Sequence, residues 1–69
     1  MNRSEVVVGA VGESRDGLFV IVKVEKRAYG TYVTLLPSPD GEIEDKQVLN
    51  IEHCLYAMET VSIPKRNNE

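Results

Sequence analysis

The chain of 69 residues has no tryptophan, one phenylalanine, one cysteine and one histidine. A single cysteine cannot close a disulfide within the chain, and His53 with Cys54 supplies two adjacent ligands where a structural zinc site needs four. No metal and no cofactor is therefore expected. Very small domains gain only a few kcal/mol from one core, so stability here must come from a well-filled interior or from assembly of copies. Long hydrophobic runs are also missing. The longest, Leu18 to Val22, falls far short of the roughly 20 residues that cross a bilayer. The N-terminal MNRSEVVVGAV, interrupted by Gly9, lacks the apolar core of a signal peptide. With one cysteine besides, the expectation is a cytoplasmic protein without a membrane segment.

Positive charge is scarce as well: eight Lys and Arg stand against eleven Asp and Glu, a net charge of −3. That balance disfavours a general binder of nucleic acid or anionic membrane, which needs a positive field. The charge is uneven, however. Lys23, Lys26 and Arg27 gather mid-chain, and Asp40, Glu42, Glu44 and Asp45 follow.

What the chain does contain is β-forming sequence. One domain is expected over residues 5–63, with residues 1–4 and 64–69 as flexible termini. Val6 to Val11 is a β-branched run suited to a first strand, and Gly12 to Gly17 (GESRDG) carries the glycines of a turn. In the next strand Leu18, Val20, Val22 and Val24 share one parity. The other parity carries Phe19 and Ile21, then changes to Lys23 and Glu25. Thr31 to Leu36 forms a third strand after a short hairpin loop. Pro37 to Gly41 ends it, because proline cannot donate to a ladder. Val48 to Ile51 reads as a fourth strand. Residues 51–54 read as a helical turn capped by Asn50, and 55–63 as a last strand. Short strands with turn signals about every ten residues point to an all-β fold, a small five-stranded SH3-like barrel. The alternative is α+β, with a helix at about 50–60 packed on a four-stranded antiparallel sheet.

Catalytic residues are not expected. The sole histidine neighbours Cys54 in sequence, and adjacent side chains do not face one another as base and nucleophile. Glu42 and Glu44 lie in a charge run that solvation explains. Gly9 to Gly12 lacks the lysine and helix of a phosphate loop. Two readings remain. Exposed tyrosine and arginine are enriched where proteins bind one another, which points to a non-enzymatic module contacting a protein or its own copies, an adaptor or inhibitor. Lys23, Lys26 and Arg27 with Tyr29 and Tyr32 also have the chemistry to contact phosphates and stack on bases of RNA or DNA. These five residues are the candidate partner-binding site in both readings. No small-molecule substrate is indicated.

Overall fold

Residues 1–37 and 45–64 are described by a computed structural model. The expected turn after Pro37, the carboxylates of Asp40, Glu42 and Glu44, and the tail after Pro64 lie outside the described residues. Five strands form one antiparallel sheet: β1 (Val11–Ser14), β2 (Gly17–Arg27), β3 (Gly30–Pro37), β4 (Gln47–Asn50) and β5 (Glu59–Ser62). A short helix, α1 (Ile51–Ala57), stands between β4 and β5. The strand order is β4-β3-β2-β1-β5. Among the described residues both edge strands are without a partner on their outer side, so the sheet is open and does not close into the expected barrel.

Two tight hairpins build the centre. Ser14 pairs with Gly17 and Arg27 with Gly30, leaving only Arg15–Asp16 and Ala28–Tyr29 to turn the chain. Gly17 and Gly30 close these turns at φ of 122° and 142°, a backbone that residues with a Cβ avoid. Because two residues suffice, Gly12 to Ser14 belong to β1 and not to the turn expected there. Val6 to Ala10 in turn is not a strand. It forms a corner in which the Ala10 N–H donates to the Val7 carbonyl at 3.1 Å, and Gly9 at φ 95° allows the bend. Val6 and Ala10 point into the core from this corner.

The first residues make specific contacts. The Met1 ammonium donates to the Met58 carbonyl at 2.8 Å, and Arg3 pairs with Glu52 at 2.8 Å. The Glu5 carboxylate accepts from the Asn2 N–H and the Thr60 hydroxyl, which hold its pKa below the usual glutamate range. The Asn50 side chain accepts from the Glu52 N–H at 2.9 Å and starts α1, which runs beyond the single turn expected at 51–54. Ile51, Cys54 and Met58, at helical spacing, are buried, and β5 is correspondingly shorter than 55–63. The α+β alternative anticipated the helix but not a fifth strand beside it.

The register of β2 against β3 contains the decisive irregularity. Ile21 pairs with Leu35 and Lys23 with Thr34, so Val22 is an extra residue, a β-bulge. Before the bulge Phe19 and Ile21 face the core. After it the inward parity switches, so Val24 joins the face of Val33, and Lys23, Glu25 and Arg27 turn outward. Leu18, Val20, Val22 and Val24 are consequently not one buried face. Leu18 and Val20 point away from the core, and Val22 sits in the bulge. The core is Val6, Ala10, Phe19, Ile21, Val33, Leu35, Ile51, Cys54 and Met58.

At Gly12 the sheet packs closely on this core. A Cβ there would lie 2.5 Å from Cζ of Phe19 and 2.8 Å from the Glu59 carbonyl oxygen. Gly12→Ala should therefore destabilise the fold by about 1–3 kcal/mol, the usual range for overpacking. Urea unfolding checks this, and an unchanged midpoint would contradict the packing described.

Candidate functional site

The end of the β2–β3 hairpin holds the five candidate residues, and the backbone divides them. Alternation after the bulge places Lys23, Glu25 and Arg27 on the outer face, where Glu25 lies opposite Tyr32. Lys26, opposite Thr31, falls on the other face, and Tyr29 occupies the turn. The structure thus brings together Lys23, Arg27 and Tyr32, and keeps Lys26 and Tyr29 apart from that group.

The group is internally satisfied. Arg27 Nη2 donates to Glu25 Oε1 at 2.9 Å, and Lys23 Nζ approaches the same oxygen at 3.7 Å. The Arg27 guanidinium also lies 4.8 Å from the Tyr32 ring centroid, within cation–π range. Glu25 binds both cations, and the bond from Arg27, then its charge, then that of Lys23, hold the carboxyl below the usual glutamate range. Two chemical consequences follow. The cations on this face carry one net positive charge, two against Glu25, and one side of the Tyr32 ring is already covered. Tyr29 is different: it is 89% exposed, a large aromatic presented on a two-residue turn.

The remaining sequence candidates are separated. Cys54 is buried, and burial pushes its thiol pKa up. His53, one helical step away, is exposed. Among the described residues no group of three or more His, Cys, Asp or Glu side chains is placed to hold a metal ion. No helix among them is long and apolar enough to cross a membrane.

Sequence reasoning passed over the other end of the molecule. Two clefts flank the β1–β2 turn and share Ser14, Asp16, Gln47 and Met58. One, of about 120 Å³, has Phe19 and Leu35 among its lining residues; the other, of about 440 Å³, reaches His53 and Tyr56. Tyr56 is 92% exposed. The available signal was an aromatic at a helix position between the buried Cys54 and Met58, legible only once residues 51–57 are helical.

No family model, curated protein or solved structure matches this chain. Its functional reading therefore rests on its own geometry.

The ion cluster makes a pH prediction. A carboxyl whose pKa is lowered by folding favours the native state above the ordinary glutamate range, and that contribution is lost as pH falls through the lowered value. Arg27→Gln removes both the guanidinium hydrogen bond and its charge, so the Glu25 pKa should rise toward that of a free glutamate. Carbon-detected NMR titration of the Glu25 carboxyl reads this directly; equal values in wild type and variant would refute the pairing.

Proposed function

We propose that the protein is a non-enzymatic, cytoplasmic binding module of the SH3-like type that engages a protein partner through the end of the β2–β3 hairpin. Support for the SH3-like assignment is the strand order β4-β3-β2-β1-β5, with a short helix before a last strand that returns to the first. The absence of closure makes it an open member of that type. The observation that carries the functional reading is Tyr29, almost fully exposed on a turn fixed by paired strands to either side. A rigidly presented tyrosine offers contact area at small entropic cost, which is why such residues dominate binding hot spots. Arg27, Tyr32 and Lys23 lie on the outer face of the same hairpin, and Lys26 lies on its other face.

RNA or DNA binding is the second reading, favoured by Lys26, which is exposed beside the same turn. Against it stand the pairing of Lys23 and Arg27 with Glu25 and the partly covered Tyr32 ring, since phosphate contacts require free cations.

Cross-linked capture from native extract should yield a protein partner with wild type and with Tyr56→Ala, and lose it with Tyr29→Ala. Mixed oligonucleotides should fail to bind at low salt. Salt-sensitive oligonucleotide binding abolished by Lys26→Glu/Arg27→Glu would instead establish the nucleic-acid reading.

A further inference from the structure

The narrower cleft beside the β1–β2 turn lies at the start of β2, whereas the hairpin end lies where the same strand finishes. Its volume is about 120 Å³, and the core side chains Phe19, Leu35 and Met58 form part of its wall. An apolar cavity of about 150 Å³ admits benzene, so this cleft has room for one side chain of similar bulk.

Two carboxylates interrupt the apolar lining: Asp16 from the β1–β2 turn and Asp45 from the residues before β4. Among the described residues neither has a cation within salt-bridge distance. The cations next to them in sequence stay out of this cleft, because Arg15 lines only the wider one and Lys46 lines neither. Charge of one sign set in walls of low dielectric focuses its field on whatever enters. An anion is therefore repelled. A purely apolar group fills the space but strips water from the carboxylates without replacing it. A side chain with an apolar stem and a cationic head meets both demands.

We infer that this cleft is the docking site for a lysine or arginine side chain presented by a basic segment of a protein partner. The stem packs on Phe19, Leu35 and Met58, and the head meets Asp16 and Asp45, with the Gln47 amide oxygen as a further acceptor. The net charge of −3 on the whole chain draws such a segment in. None of the five hairpin-end residues lines the cleft, so the inference stands apart from that reading.

NMR of the full chain, titrated with a capped alanine pentapeptide carrying one central lysine, tests this. The amides of Gly17, Leu18 and Gln47 and the Met58 methyl should shift, with a dissociation constant of about millimolar order, as expected of one small anchor. Norleucine in place of the lysine keeps the stem and drops the charge, and should bind about threefold or more weakly; glutamate should not bind. Asp16→Asn/Asp45→Asn should weaken the lysine peptide by a similar factor without weakening the norleucine peptide. Asparagine before Gly17 suits the same tight turn, so this variant retains the fold. Unmoved amides, equal binding of the lysine and norleucine peptides, or shifts confined to Lys26 and Tyr29 would each overturn the assignment. So would movement of the cleft amides with protein concentration alone, which would make a second copy the occupant. Tyr29→Ala should leave this titration unchanged, and Asp16→Asn/Asp45→Asn should leave capture at the hairpin end unchanged, so the two readings fail separately.

Discussion

One extra residue in one strand governs this fold. Phe19, Ile21, Lys23, Glu25 and Arg27 share a parity in β2, and an uninterrupted ladder would put all five on the core face. Three charged residues would then follow Phe19 and Ile21 along the face that packs the interior. The bulge at Val22 divides the strand into two halves of opposite sense. The first half delivers Phe19 and Ile21 to the interior. The second sets Val24, still 37% exposed, on the face of Val33 and turns Lys23, Glu25 and Arg27 to the other face, where Glu25 gathers Lys23 and Arg27 and Arg27 covers Tyr32.

The other packing decisions depend on that division. With Phe19 inward, its ring needs the space that Gly12 leaves open on the neighbouring strand. Ile21, immediately before the bulge, exchanges backbone bonds with Gly9 and Ala10, at 2.7 and 2.9 Å, and so anchors the N-terminal corner that contributes Val6 and Ala10 to the core. The helix closes the remaining side with Ile51 and Cys54, and Met58 follows at its C-cap. The same division leaves Val20 and Leu18 outward, on the face of Val11 and Leu36.

Much of this was legible in the residues. The hairpin of β2 and β3, the turn glycines and the Asn50 cap follow from local chemistry. The five candidate residues sit on the β2–β3 hairpin beyond the bulge, where strand alternation divides their faces. Less legible was the bulge itself, although its trace is present: apolar character persists at even positions from Leu18 to Val24 while odd positions change from Phe19 and Ile21 to charges. A period-two reading takes such a pattern as a strand buried on both faces, because periodicity assumes a constant phase. Likewise, β-branched Val6 to Val8 favours a strand by propensity, yet Gly9 and the contacts of the first turn fold it into a corner. The helix beyond residue 54 was obscured because tertiary burial of Cys54 and Met58, not propensity, selects it.

The register of β2 against β3 is the most direct test, read from cross-strand nuclear Overhauser contacts in the isotopically labelled protein. The fold described here predicts contacts of Ile21 with Leu35 and of Lys23 with Thr34, with Val22 opposite no single partner. Contacts of Val22 with Thr34 and of Lys23 with Val33 would show an unbroken ladder and contradict it.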